Sequence, residues 1–135
     1  MHLHTLRLTP GADLRDALAR FAKSRRLRAA ATVSGIGSLT TAAIRFAGNE
    51  AVTVVPGPLE ITSLAGTLSR DGLHVHICVA DGDGRCLGGH LAAGSIVRTT
   101  AEVVIAELHG QVFRRAIDPS TGYRELVVRR TRHRG

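Results

Sequence analysis

Aromatic residues are nearly absent from this chain of 135 residues. Phe, Tyr and Trp together make up 3% of the sequence, and Trp does not occur. This scarcity argues against an aromatic platform on which nucleic-acid bases stack. Hydrophobic residues nevertheless make up 44% of the chain, which is ample for one compact domain and argues against a disordered chain. The core must therefore be built from Ala, Val, Leu and Ile.

Cysteines and long apolar runs are also few. Cys78 and Cys86 are the only cysteines, too few for a disulfide framework. No apolar run approaches the roughly 20 residues that span a bilayer. No N-terminal segment combines a charged start with an apolar middle, which is the pattern of a secretory signal. We therefore expect a cytoplasmic protein that does not enter a membrane.

Positive charge comes almost entirely from arginine, because Lys23 is the only lysine. The net charge of +7 suggests an anionic partner, although arginine-rich and alanine-rich composition is equally typical of a GC-rich genome. Candidate contacts to the phosphates of DNA are the C-terminal arginines Arg129, Arg130, Arg132 and Arg134. The alternative for these four is a solvated, flexible tail. Any DNA binding through them should tolerate sequence changes and weaken with salt.

The N-terminal third of the chain predicts a strand followed by a helix. Apolar and polar residues alternate over residues 2–8, and the pattern stops at Pro10 and Gly11, as expected for a strand and a turn. Apolar residues then recur at helical spacing over about 13–26. Asp13 is well placed as the N-cap, and the basic residues after Ala22 suit the last turn.

Strand patterns dominate the rest of the chain. We predict two strands broken at residues 35–37, a strand that ends at 56–58, a hairpin turning at 70–72, and later strands over 95–108 and 123–130. These elements predict an α/β domain of the α+β type, with a largely antiparallel sheet and one main N-terminal helix. The domain is expected over residues 1–128, with a basic tail over 129–135.

Three of the seven histidines lie between residues 73 and 91. Side chains alternate between the two faces of a strand, so His74, His76 and Cys78 are predicted to share a face opposite the apolar Val75 and Ile77. Two imidazoles at i and i+2 can point at one ion, and His90 from the next segment would complete a three-histidine site with an open position. The alternative is a solvent-exposed face whose histidines bind no metal.

Zinc is the expected ion at such a site, although nickel, iron or cobalt also bind imidazole. Gly88 and Gly89 are predicted to shape the loop that delivers His90, because glycine allows close backbone approach. Cys78 is a further candidate ligand that lies one residue pair along the strand. His2 and His4 repeat the i, i+2 spacing and form either a second, weak metal site or ordinary surface positions.

A metal with an open position can support catalysis if a general base lies nearby. Asp81, Asp83 and Glu102 are the candidate bases. Each has a structural alternative: the two aspartates suit turn chemistry, and Glu102 suits an ion pair or a subunit interface. The sequence therefore leaves open whether the protein is a metal-dependent enzyme acting on an unknown small molecule.

The stretch PGPLEITSLAGTLSRDGLHVHICVADGDGRCLGGHLAAGSIVRTTAEVVI closely resembles the plant- and prokaryote-conserved (PPC) domain family. The earlier segments SGIGSLTTAAIRF and LRLTPGADLRDALARFA also match, so the resemblance extends to about residue 110. Its most specific part is the arrangement of His-x-His followed by Gly-Gly-His.

The resemblance implies a largely antiparallel α/β domain that assembles as a homotrimer. It also implies that His74, His76 and His90 bind a divalent metal, typically zinc, as in prokaryotic members. Plant relatives lack these histidines and carry Arg-Gly-Arg-Pro hooks for the DNA minor groove, a motif that this sequence does not contain. A binding or regulatory role is therefore expected, with DNA association as a candidate.

A protein-interaction scaffold is the alternative, since the stretch GPLEITSL loosely resembles a partner-recruiting segment. Leu59 and Ile61 within this stretch also suit a strand core.

Overall fold

The computed structural model describes residues 1–131, which form eight strands and one helix. In chain order these are β1 (His2–Leu8), α1 (Leu14–Ser24), β2 (Ala30–Arg45), β3 (Thr53–Ser69), β4 (Gly72–Ala80), β5 (Cys86–Leu91), β6 (Ile96–Glu107), β7 (Gln111–Ile117) and β8 (Arg124–Arg130). All strand pairs within these residues are antiparallel. The predicted fold class, a largely antiparallel sheet with one N-terminal helix, is confirmed.

Helix α1 begins where the sequence predicts and ends slightly earlier. One carboxylate oxygen of Asp13 accepts a hydrogen bond from the backbone N–H of Asp16 at 3.1 Å, which satisfies a free donor of the first turn. Leu14, Leu18 and Ala22 form its buried face. The helix stops at Ser24 because Arg26 adopts a left-handed backbone conformation with φ of 53°.

The main sheet has six strands in the order β1-β6-β2-β3-β4-β5, and it curls until β5 also pairs with the end of β2. Ile44 lies opposite Leu91 and Arg45 opposite His90 at this closure. The strands β2, β3, β4 and β5 therefore form a closed ring. Its interior is apolar, with Ile44, Ile77 and Val79 fully or almost fully buried. The curling matters for function because it brings β5 between β4 and β2.

Two predicted strand breaks are wrong, because the strands continue through both points. Strand β2 runs through residues 35–37, where a Cβ added at Gly35 would lie 2.6 Å from the Cβ of Leu64. Glycine here serves close packing between strands. Strand β3 runs through residues 56–58, where the pairing with β2 shifts register between Leu39 and Thr41. Proline at such an irregularity forms a bulge and does not end the strand.

Strands β7 and β8 form a separate two-stranded hairpin. Neither β7 nor β5, which follows the turn at Asp81–Arg85, was among the predicted strands. The hairpin is tied to the main body by the backbone N–H of Phe113, which donates to the carbonyl of Arg28 at 2.8 Å. Arg115 adds a side-chain bond to Thr67 of β3. Within residues 1–131, no helix has the length and apolar character needed to cross a bilayer.

Candidate metal centre

The alternation of side chains along β4 separates two histidines from the core. Val75 and Ile77 are buried in the ring, whereas His74 and His76 are exposed on the outer face. This arrangement follows directly from the two-residue period of a strand. The sequence placed the same residues on the same faces.

Strand pairing brings in the third histidine. His90 lies directly opposite His76 in the β4–β5 pair, so both side chains project from the same face of the sheet. Gly88 and Gly89 precede His90 inside β5 itself, where the sequence analysis expected a loop. A Cβ added at Gly89 would lie 2.6 Å from the backbone oxygen of Arg45 and 2.9 Å from Ile44. Glycine at this position therefore lets β5 approach β2 and fixes the place of His90.

The three imidazoles form a compact group. One ligand nitrogen from each of His74, His76 and His90 lies within 4.8 Å of the other two. The Nε2 atoms of His74 and His76 are 3.1 Å apart. Two nitrogens bound to tetrahedral zinc at about 2.0–2.1 Å lie roughly 3.3 Å apart, so this spacing suits a shared ion. The three histidines are thus positioned to bind a metal, and within residues 1–131 they form the sole such group.

The surroundings favour the neutral form of two of these imidazoles, His74 and His90. Burial lowers the pKa of His74, and the positive potential of His76, Arg115 and Arg45 lowers it further, against an opposing effect of Glu125. Burial also lowers the pKa of His90, with Arg45 as the next cause. A metal binds the neutral form of imidazole, because the lone pair must be free. The electrostatics therefore favour the binding-competent state at neutral pH.

A wide depression borders the histidine group on one side. It has a volume of about 1130 Å³, and its wall includes His74, His90, Arg45, Arg115, Tyr123 and Glu125. The arginines, the tyrosine and the glutamate of this wall could not be predicted from the sequence, because no local pattern marks them. Arg45 ends β2, and the other three come from the β7–β8 hairpin and its turn. Only the strand register and the position of the hairpin bring them to the histidines.

The three carboxylates considered as general bases lie elsewhere. Asp81 accepts backbone hydrogen bonds from Asp83 and Arg85, both at 2.9 Å, which is the turn chemistry given as its alternative. Asp83 forms an exposed ion pair with Arg85. Glu102 on β6 lies opposite Arg7 on β1. None of the three candidate bases lines the depression beside the histidines.

Other candidate ligands also fall outside the group. Cys78 lies opposite Gly88, one residue pair beyond His76 on the same face. His4 binds Glu107 instead, with its Nε2 2.9 Å from the carboxylate oxygen. The His2 ring packs against the His4 ring in a T-shaped arrangement with a centroid distance of 4.5 Å. Neither cysteine and neither N-terminal histidine joins the three-histidine group.

Two of the four C-terminal arginines can be placed. Arg129 and Arg130 are the last residues of β8, where they pair with Val112 and Gln111 and remain exposed. Arg132 and Arg134 lie outside the described residues. The expected boundary between a domain over 1–128 and a tail over 129–135 stays a prediction.

The stretch GPLEITSL lies within β3. Its apolar residues Leu59 and Ile61 are 2% and 5% exposed and belong to the core. These two side chains therefore offer no surface for a partner, which weakens the scaffold alternative at this segment.

Sequence comparison places the chain among named relatives. Residues 1–109 match the model of the Plants and Prokaryotes Conserved (PCC) domain. The chain is 43% identical over 128 residues to the bifunctional protein GlmU of Synechococcus sp. (strain JA-3-3Ab), covering 95% of this chain and 21% of that protein. It is 30% identical to the AT-hook motif nuclear-localized protein 26 of Arabidopsis thaliana, covering 85% of this chain and 36% of that protein. The chain thus spans between a fifth and two fifths of these relatives' lengths.

Solved structures agree with the sequence match. A hypothetical protein from Salmonella cholerae-suis superposes with a TM-score of 0.93 at 43% identity, covering 96% of this chain and 94% of that one. A metal-containing protein from Archaeoglobus fulgidus superposes with a TM-score of 0.82 at 30% identity, covering 94% of both chains. The likeness extends beyond the residues of the domain model and includes the C-terminal hairpin region.

Proposed function

The chain belongs to the Plants and Prokaryotes Conserved domain family, and we propose that it acts within that family as a metal-binding domain with His74, His76 and His90 as the ligands. The observation that carries this proposal is the convergence of three imidazole nitrogens within 4.8 Å. A related protein of the same fold, from Archaeoglobus fulgidus, is described as metal-containing.

Zinc is the proposed ion. Its preferred ligands include neutral imidazole, and three protein ligands with one open position are typical of zinc sites that bind a further small molecule. The lowered pKa values of His74 and His90 support this choice, because neither imidazole needs to lose a proton at neutral pH. The exposed cluster beside a wide depression leaves room for such a molecule.

The proposed role is binding or regulation. Hydrolysis at a three-histidine metal needs a positioned base. Asp81, Asp83 and Glu102 do not line the depression, and Glu125, which does, accepts a hydrogen bond from the Thr121 hydroxyl at 3.1 Å. A ligand-binding module that senses or stores a small molecule needs no such base. A metal-dependent enzyme is the alternative, with Glu125, whose negative charge acts on His74, as its candidate carboxylate.

Self-association is part of the proposal. The family resemblance implies a homotrimer, and exposed apolar residues on the strands support an interface between copies. Val33 and Ile36 of β2 and Val54 of β3 are each more than half exposed. Such residues gain free energy when a partner covers them.

Association with DNA is a second candidate role. The β7–β8 hairpin carries five arginines and a single acidic residue, Glu125, over its two strands. A basic two-stranded ribbon has the width that the DNA major groove admits, and arginines on it can contact phosphates. Arg129 and Arg130 are exposed at its end. Binding by such contacts is expected to be independent of base sequence.

Metal content tests the proposed function. Chain purified without a histidine tag and dialysed against zinc should hold one ion per chain, and the double variant His74→Ala/His90→Ala should hold none. The matched control is His2→Ala/His109→Ala, which removes two exposed histidines elsewhere. Equal metal in the wild type and the His74/His90 variant contradicts the proposed site.

A further inference from the structure

Two arginines flank the histidine group from opposite sides. Arg45 lies directly opposite His90 in the β2–β5 pair, so their side chains share a face. Arg115 approaches from β7, and its Nη2 donates to the hydroxyl of Thr67 at 2.8 Å. Thr67 is itself the cross-strand partner of His74. One guanidinium is thus placed beside His90 and the other beside His74.

Both guanidiniums keep most of their donors available. Arg45 donates from Nη1 to the backbone oxygen of Asn49 at 3.2 Å, and Arg115 donates to Thr67. Each guanidinium has five N–H donors, so most remain unused by these contacts. Within residues 1–131, no carboxylate lies at ion-pair distance from either of these two arginines.

The acidic residues of the same depression are engaged elsewhere or lie at its rim. Asp71 forms an ion pair with Arg114, and Glu125 accepts the hydrogen bond from Thr121. Glu50 is exposed on the loop after β2. The depression is lined by four arginines, Arg15, Arg45, Arg115 and Arg124, against Glu50, Glu125 and the ion-paired Asp71, so its wall carries net positive charge, to which a divalent ion would add. Such a concave wall concentrates anions.

We infer that Arg45 and Arg115 form the anion-binding part of a ligand site beside His74 and His90, and that the ligand is a small molecule carrying a carboxylate or phosphate group. This inference rests on the proposed metal function, because the ion supplies part of the positive charge. The planar guanidinium matches both oxyanions and binds either with paired hydrogen bonds. Leu73 and Tyr123 on the same wall give the rest of the ligand apolar and aromatic contact.

Calorimetric titration of the zinc-loaded full chain tests this inference, with succinate and inorganic phosphate as separate probes. The wild type should bind at least one of the two, and the probe that binds more tightly identifies the anionic group. The variant Arg45→Gln/Arg115→Gln should lose at least tenfold in affinity while it keeps its zinc. The affinity of Arg45→Lys/Arg115→Lys should lie between those of the wild type and the Gln variant, because lysine keeps the positive charge but cannot form the paired hydrogen bonds of a guanidinium.

The matched control is Arg20→Gln/Arg98→Gln, which makes the same change in net charge at exposed positions outside the depression. Its affinity should stay within about twofold of the wild type, because such distant charges are screened at physiological salt. An equal loss in this control, or no loss in the Arg45/Arg115 variants, overturns the inference.

Zinc content measured before and after each titration separates the two proposals. A wild type that takes up zinc but binds neither probe contradicts only the anion site. A wild type that takes up no zinc contradicts the proposed function, and the anion inference falls with it. An Arg45/Arg115 variant that folds poorly shows itself by losing zinc, and the lysine variant then decides the question.

Discussion

His76 and His90 lie directly opposite each other across the antiparallel β4–β5 pair, with their ring centroids 4.6 Å apart. This pairing makes the candidate metal centre a property of strand register. A slip of one residue between β4 and β5 would turn His90 to the buried face, because side chains alternate along a strand. The turn at Asp81–Arg85 and the close contact between β5 and β2 hold the register in place.

Gly89→Ala should weaken metal binding although it changes none of the three metal-binding histidines. The added Cβ would meet the backbone of Arg45, so β5 must move away from β2 and carry His90 with it. We expect at least a tenfold loss in zinc affinity, together with a stability loss of about 1–3 kcal/mol typical of overpacking. Zinc titration and thermal unfolding measure the two effects. Gly82→Ala is the control, because a Cβ there meets nothing within 4 Å; equal behaviour of the two variants refutes the role given to Gly89.

The local parts of this fold could be predicted from sequence because their causes are local. Alternation along residues 2–8 and 73–80, and the capping chemistry of Asp13, depend only on neighbouring residues. The shared face of His74 and His76 was predictable for the same reason, because it follows from the two-residue period of a strand, whereas His90 joins them only through the β4–β5 register.

The parts that could not be predicted depend on contacts far apart in the chain. Glycine and proline usually end strands, but Gly35 packs on Leu64, 29 positions along the sequence, and the proline run in β3 fits a bulge against β2. The placement of Arg45 beside His90 likewise needs the closure of the sheet. No pattern within a short window carries such information.

Metal-free protein should lose stability as the pH falls below about 6.5. The folded chain lowers the pKa of His74 and His90 from 6.5, so between the lowered and the ordinary values the unfolded chain binds more protons. Protonation of these two histidines therefore costs no stability well above pH 6.5. The free energy of unfolding falls as the pH drops from 6.5 toward the lowered pKa values. Thermal unfolding of chelator-treated protein at pH 7.5 and 5.5 measures the effect.

The double variant His74→Asn/His90→Asn serves as the control for the pH effect. Asparagine does not titrate, so the difference in melting temperature between pH 7.5 and 5.5 should shrink. An unchanged difference would assign the pH dependence to other groups.

DNA binding through the C-terminal arginines should be electrostatic. The logarithm of affinity should fall linearly with the logarithm of salt concentration, and changing Arg129, Arg130, Arg132 and Arg134 to Gln should reduce that slope by up to about 3–4. Substitution is preferable to truncation, because Arg129 and Arg130 belong to β8 and pair with Val112 and Gln111 of β7. Filter binding to random duplex DNA over a salt series measures the slope.

Four exposed arginines elsewhere in the chain give the control for DNA binding: Arg7, Arg20, Arg85 and Arg98, each changed to Gln. If this set lowers the slope as much as the C-terminal set, binding reflects net charge alone. If affinity persists at high salt, contacts to phosphates are not its source.

Light scattering coupled to size exclusion tests the proposed trimer. The expected mass is three times the chain mass of 14.3 kDa. Ile36→Glu on the exposed side of β2 should shift the mass toward that of one chain, because a charge inside an apolar interface is costly. A wild type that elutes with the mass of a single chain would contradict self-association.

Anomalous diffraction from crystals of the zinc-loaded chain, recorded on both sides of the zinc absorption edge, tests the central claim most directly. The account predicts one peak per chain, at about 2.0–2.1 Å from a ring nitrogen of each of His74, His76 and His90. A peak at any other set of side chains, or none between these three rings in protein that contains zinc, would contradict it.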